Sequence, residues 1–111
     1  MPHMVISYAK PIEEKVDIAK MVQLVWDTAD KTGLFNPAAI KVRALPVEHF
    51  LTANTDQPFI HIDAKLFAGR TDAQKQAMIQ DLFNALKGLV PDTVSLSVEA
   101  IDMDQSNYIK S

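Results

Sequence analysis

The sequence contains no cysteine. That removes disulfides, thiolate nucleophiles and sulfur-ligated metals together, and it fits a reducing cytoplasm. Glycine is scarce, at 3 among 111 residues, and with only 6 prolines this excludes a low-complexity linker protein. No apolar run exceeds a few residues, so none is expected to span a bilayer. Met1-Pro2-His3-Met4 leads directly into a strand pattern, without the basic end and apolar stretch of a signal peptide. Positive charge is also short: 11 Lys and Arg against 14 Asp and Glu give a net charge of -3, which argues against a nucleic-acid footprint or a polybasic membrane anchor. No phosphate-cradling glycine loop or nucleophile elbow is present. What remains is a 48% hydrophobic chain of ordinary one-domain length, expected to fold around one core over residues 1–111.

Met4-Val5-Ile6-Ser7-Tyr8 reads as a strand beginning almost at the first residue. Pro11, Glu13 and Glu14 suit the first turn of a helix whose apolar stripe is Ile18, Val22, Val25, Trp26 and Ala29. Gly33 and Asn36-Pro37 stop it. Ile40 to Leu45 alternates apolar and charged residues, as a half-buried strand does. Residues 46–57 read as an exposed connection with room for one helical turn. The order then repeats. Ile60, Ile62, Ala64 and Leu66 mark one face of a strand over Phe59–Leu66. Thr71 with Gln74 forms a capping box opening a helix striped by Met78, Ile79, Leu82, Phe83 and Leu86. Val94–Glu99 alternates as the last strand, leaving Asp102–Ser111 as a polar tail. The fold class is therefore α/β (α+β): two β-α-β units, about 1–57 and 58–111, forming a four-stranded mixed sheet. Right-handed crossovers place both helices on one face. The other face is expected to meet a second subunit.

Three residues stand out for chemistry. Pro2, with Met1 removed, would carry a compact secondary amine on a rigid ring. α-Amino groups titrate at about 7.7–8.0, and burial or nearby cations lower them towards the neutral base that proton abstraction needs. Arg70 lies where a strand passes into a helix N-terminus, a place suited to holding a carboxylate. Arg43 projects from the strand face opposite Ile40, Val42 and Ala44. Each alone has an ordinary reading: a common chain start, a surface arginine, a solvated charge. Together they describe an amine base beside cations that hold an acid, provided the third strand runs antiparallel to the first and brings Phe67–Arg70 towards Pro2.

Met1-Pro2-His3, Thr32-Gly33-Leu34-Phe35, Val42-Arg43 and above all Phe59–Arg70 resemble the tautomerase superfamily, of the 5-(carboxymethyl)-2-hydroxymuconate isomerase type. Gly69-Arg70-Thr71-Asp72-Ala73-Gln74-Lys75 also resembles the stretch after the first strand of 4-oxalocrotonate tautomerase. The likeness runs to about residue 101. It departs at Lys41-Val42-Arg43, where Arg-x-Arg is common, and in a shorter tail. The resemblance implies a homotrimer with sites at subunit boundaries, no cofactor, and a role in the breakdown of aromatic compounds. Pro2 would be the proton shuttle, with Arg43 and Arg70 as substrate-binding residues. The substrate would be a small unsaturated 2-hydroxy or 2-oxo carboxylic acid.

His3 is close enough to tune Pro2, and Tyr8, Phe50, Phe59 and Tyr108 could wall a pocket for a flat conjugated acid. His3, His49 and His61 lack close metal-site spacing, so no metal is expected. His61, with Asp63 and Lys65, is expected at a subunit contact. Two alternatives stay open: a sister activity such as phenylpyruvate tautomerisation or haloacrylate hydration, and a non-catalytic ferredoxin-like binding domain.

Overall fold

Residues 1–111 are described by a computed structural model. Its order is β1 (His3–Ala9), α1 (Ile18–Lys31), β2 (Lys41–Val47), β3 (Phe59–Phe67), α2 (Asp72–Lys87) and β4 (Ser95–Met103), with short 3-10 turns at Lys10–Glu14, Pro37–Ala39 and Gln105–Asn107. The strands form one sheet in the order β2-β1-β3-β4. β1 pairs with β2 and β3 with β4 in parallel, while β1 and β3 meet antiparallel. The repeated sequence order predicts the two β-α-β units, and the structure supplies the antiparallel joint through their first strands on which the convergence towards Pro2 depends.

Alternation decides the faces. Met4, Ile6 and Tyr8 of β1 and Ile60, Ile62, Ala64 and Leu66 of β3 are buried in one core with Met21, Val25 and Ala29 of α1 and Met78, Leu82 and Leu86 of α2. These helical positions recur every four residues, and Ile18, Val22 and Trp26 flank the α1 row. Met21, absent from the expected stripe, is its fully buried first member. The opposite sheet face carries His3 and Val5, Lys41 and Arg43, His61, Asp63 and Lys65, Ser97, Glu99 and Ile101, by the same alternation and register. No helix of the chain is long and apolar enough to cross a membrane.

The structure corrects three boundaries. Pro11 opens a 3-10 turn rather than the long helix, and α1 begins anew after Asp17, whose side chain accepts a hydrogen bond from the Lys20 N–H. Ile12 and Val16, both buried, pin the intervening chain to the core and impose that break. The connection after β2 has no helical turn. Thr52 and Thr55 exchange backbone hydrogen bonds across Ala53 and Asn54, both with positive φ. Finally, β4 runs on to Met103 because β3 offers partners along its whole length, pairing Lys65, Leu66 and Phe67 with Ile101, Asp102 and Met103. Pro46 is accommodated because β2 is an edge strand.

Candidate active site

The antiparallel β1–β3 pairing brings the end of β3 beside the start of β1, with His3 opposite Lys65. On its other side His3 is opposite Lys41. The N-terminal edge of the sheet therefore places an imidazole between two lysines on one face. Pro2 lies just before it, its ring fully buried and its carbonyl accepting a hydrogen bond from the Lys41 N–H at 3.0 Å. In the intact chain the Pro2 nitrogen is an amide, and the free amine is that of Met1, which donates to the Ala39 carbonyl at 2.9 Å. Burial holds that amine below its ordinary 8.0, helped by Lys41 and Lys110. The cations at this edge act against protonation of an amine placed there.

Arg43 is joined to this edge through His3. Its Nη1 lies 3.1 Å from His3 Nδ1, and His3 Nε2 lies 2.9 Å from the Tyr108 hydroxyl. A guanidinium can only donate, so Nδ1 must accept and the ring proton sits on Nε2, donating to the Tyr108 oxygen. The Tyr108 hydroxyl hydrogen is then directed elsewhere and is free to meet a ligand. The Tyr108 ring packs edge-on against His3 and against Phe67 at the end of β3, with centroids 5.8 and 5.2 Å away. Burial keeps the His3 pKa below 6.5, followed by the charges of Arg43, the N-terminus, Lys41 and Lys65.

Two consequences follow for His3. Because its folded pKa is depressed, the neutral ring's contribution to stability is complete above 6.5 and is lost as pH falls through the folded value. In an NMR titration the His3 ring is expected to change below 6.5. Arg43→Ala should move that midpoint upwards by removing one of the causes while burial remains. A midpoint unmoved by the substitution would count against the Arg43–His3 contact.

Arg70 is positioned differently. Gly69, with φ +124°, turns the chain from β3 towards α2 in a conformation closed to most side chains. Arg70 then reaches back to donate from Nη2 to the Leu34 carbonyl at 2.7 Å, with its guanidinium 5.4 Å from the centre of the Phe35 ring. That seat is shaped by the end of α1: Gly33 has φ +72°, and the Thr32 hydroxyl accepts from the Leu34 N–H at 3.2 Å. The expected row of free N–H groups at α2 is partly occupied, since Thr71 and Gln74 satisfy each other in a capping box.

None of the ion pairs in the chain involves Lys41, Arg43, Lys65 or Arg70. Lys41, Arg43 and Lys65, cations without acidic partners around His3, make a receptive place for an anion. The Arg70 guanidinium turns instead to Leu34 and Phe35 and is not brought against Pro2 by any contact within the chain. Lys110 has no mark in the sequence. Lys41 enters there only as a departure from Arg-x-Arg, Lys65 as a neighbour of His61 and Phe67 as the start of the segment flanking Pro2, although alternation places all three on the open face with Arg43. Tyr8 and Phe59, expected in the pocket, are not brought to Pro2 within the chain. Tyr8 lies opposite Ile60, five residues along β1 from His3, about 17 Å at strand spacing. Its ring is in the core and its hydroxyl donates to Glu13 at 2.6 Å; burial and that bond raise its pKa to about 12. Phe59 packs on Phe50 at the same far end. The surface hollows of the chain include neither Pro2, Arg43 nor Arg70 among their walls. One chain does not enclose this edge.

Comparison with known proteins adds to this geometry. The family described as 5-carboxymethyl-2-hydroxymuconate isomerase matches residues 2–111. No curated protein matches the sequence. Among solved structures, a 5-carboxymethyl-2-hydroxymuconate delta-isomerase has a TM-score of 0.89 at 18% identity, covering 100% of this chain and 88% of that one. A 5-carboxymethyl-2-hydroxymuconate isomerase from Deinococcus radiodurans R1 has a TM-score of 0.83 at 20% identity, covering 99% and 88%. A fused 4-OT protein, an asymmetric trimer, has a TM-score of 0.73 at 21% identity, covering 97% and 91%. At these identities the likenesses speak for the fold.

Proposed function

Because the chain belongs to the 5-carboxymethyl-2-hydroxymuconate isomerase family, and is thereby an isomerase with a tautomerase fold, we propose that Pro2, freed by removal of Met1, is the base that moves a proton within a small unsaturated 2-hydroxy or 2-oxo carboxylic acid. The neutral Pro2 nitrogen takes a proton from the substrate. The electron pair left behind spreads along the conjugated chain towards the carbonyl oxygen. The same nitrogen then returns the proton at another atom, so the reaction consumes nothing and calls for no cofactor. Arg43, steadied by His3, and Arg70, seated on Leu34 and Phe35, would hold the substrate's acid groups. The Tyr108 hydroxyl would add a further donor. Negative charge building on the substrate would be stabilised by the cations of this edge.

The observation that carries this reading is the group of cations without acidic partners around the start of β1. The edge is open in one chain, so neighbouring copies would supply its remaining walls. We take the working form to be a homotrimer, in keeping with the trimeric fused 4-OT relative. Residues distant from Pro2 in one chain, Phe59 among them, could then approach it from another. A chain without cysteine suits work in a reducing cytoplasm. The family match sets the non-catalytic binding domain aside. The sister activities remain as outcomes of the test.

The test starts from protein whose N-terminus is shown by mass spectrometry to be Pro2. It is offered a panel of unsaturated 2-hydroxy acids, phenylpyruvate and a haloacrylate, followed by ultraviolet absorbance. Turnover of a dienol acid by a proton shift is the expected result. Turnover of phenylpyruvate or the haloacrylate alone would reassign the substrate to a sister class. Inactivity towards every member with Pro2 free would overturn the reading.

A further inference from the structure

The open sheet face carries a second cluster away from the Pro2 edge. His61 and Asp63 lie two residues apart on β3, and the parallel register sets them opposite Ser97 and Glu99 on β4. His61 Nε2 is 2.9 Å from Asp63 Oδ1 and 3.0 Å from Glu99 Oε1, and His61 Nδ1 is 2.7 Å from the Ser97 hydroxyl. We propose that His61, Asp63 and Glu99 bind a divalent transition-metal cation, Zn2+ or one of similar preference, with Ser97 orienting the imidazole.

Three features point this way. The first is spacing. Metal–nitrogen and metal–oxygen bonds of about 2.0–2.2 Å place adjacent ligand atoms about 2.8–3.6 Å apart between square and tetrahedral angles. The two nitrogen–oxygen separations fall there, and all three ligand atoms lie within 4.8 Å of one another. An ion taking the place of the shared Nε2 proton therefore meets its donors with small side-chain adjustments.

The second is the partner on the far side of the ring. A metal-bound imidazole normally donates its other N–H to a fixed acceptor, which sets the tautomer. The Ser97 hydroxyl can fill either role. It donates to Nδ1 when the proton is on Nε2, and accepts from Nδ1–H when Nε2 holds a metal. The cluster can thus exchange a proton for an ion without leaving a polar group unpaired.

The third is charge. Neither Asp63 nor Glu99 is paired with a lysine or arginine; both turn to His61 alone. Two carboxylates facing one imidazole leave negative charge for a cation to neutralise. One nitrogen and two oxygen donors favour a borderline ion such as Zn2+ over Mg2+ or Ca2+, and the lack of thiolate disfavours Cu(I). In one chain the group is partly exposed, so further positions on the ion are open to water or to a residue of a subunit packed on this face. Spacing along the chain hid this group, because Glu99 joins His61 only through strand pairing. The proposal departs from the expectation that the histidines take no part in metal binding, and it is independent of the Pro2 chemistry.

The test is a Zn2+ titration of the full-length protein by calorimetry, with Co2+ absorption as a second probe of the ligand field. One Zn2+ per chain is expected, with uptake abolished by His61→Ala and weakened at least tenfold by Asp63→Asn or Glu99→Gln. Ser97→Ala should weaken it about 10- to 100-fold. His49→Ala, at an exposed position away from the cluster, should leave it unchanged. Should His61→Ala fail to fold by circular dichroism, the two acid-to-amide variants decide. The absence of saturable uptake, or uptake surviving both His61→Ala and the acid-to-amide changes, would overturn the assignment.

Discussion

Pro2→Ala is expected to lower kcat by about 100- to 10,000-fold, the usual worth of a positioned general base, while the fold persists. Alanine, like proline, allows removal of Met1, so the variant still begins with a free amine in the same place. What changes is the base itself. A primary amine on a rotating backbone replaces a secondary amine locked in a five-membered ring, and the geometry of proton pickup is no longer held. The substitution leaves the anchoring contact alone, since the residue 2 carbonyl can still accept from the Lys41 N–H. Protein retaining Met1 offers a second form of the same test. Its Pro2 nitrogen is an amide with no basicity, and its activity should be lost with Arg43, His3 and Arg70 all in place. Steady-state kinetics on material sorted by N-terminal mass spectrometry makes both comparisons. A Pro2→Ala protein turning over at the full rate would remove the shuttle.

The second large effect separates the two arginines. Removing a charged partner of a bound carboxylate costs about 2–5 kcal/mol, which is about 30- to 5,000-fold in kcat/KM at 1.36 kcal/mol per tenfold. Arg43→Ala and Arg70→Ala are both expected in that range. They should differ in stability. Arg43 is an exposed residue on an edge strand whose side-chain partner is His3, so its loss should leave the melting temperature nearly unchanged. Arg70 also ties the start of α2 to the end of α1 through Leu34 and Phe35. Its removal forfeits a charge-assisted hydrogen bond of about 1.5–3 kcal/mol and a cation–π contact of about 0.5–1 kcal/mol, and should lower the melting temperature by several degrees. Thermal denaturation beside steady-state kinetics reads both quantities. A kcat/KM that survives either substitution would remove that arginine from the carboxylate clamp.

Much of this architecture can be read locally. The alternation in Phe59–Leu66 identifies the buried face of β3, and Thr71 with Gln74 marks the start of α2 at the residue where the structure caps it. Such signals are legible because strand and helix periods are properties of a short stretch of chain. Boundaries set by distant partners are not: β4 extends to Met103 because β3 is long, and α1 starts late because Ile12 and Val16 are drawn into the core. The candidate site divides in the same way. Pro2, His3, Arg43, Arg70 and Tyr108 stand out by residue type and resemblance. The hydrogen-bonded chain from Arg43 through His3 to Tyr108 joins residues up to 105 positions apart and has no local mark.

The sequence alone thus determined the class of fold, the order of its elements, which residues each strand turns towards the core, and a short set of chemically suited side chains. Tertiary structure alone decided which of these meet: that His3 lies between two lysines, that Arg70 rests on Leu34 and Phe35, that Tyr8 and Phe59 stay at the other end of the sheet, and that His61 faces Glu99. The reason is physical. Periodicity assigns a side chain to a face, but only the pairing and register of strands, set by the packing of the whole core, assign it a neighbour.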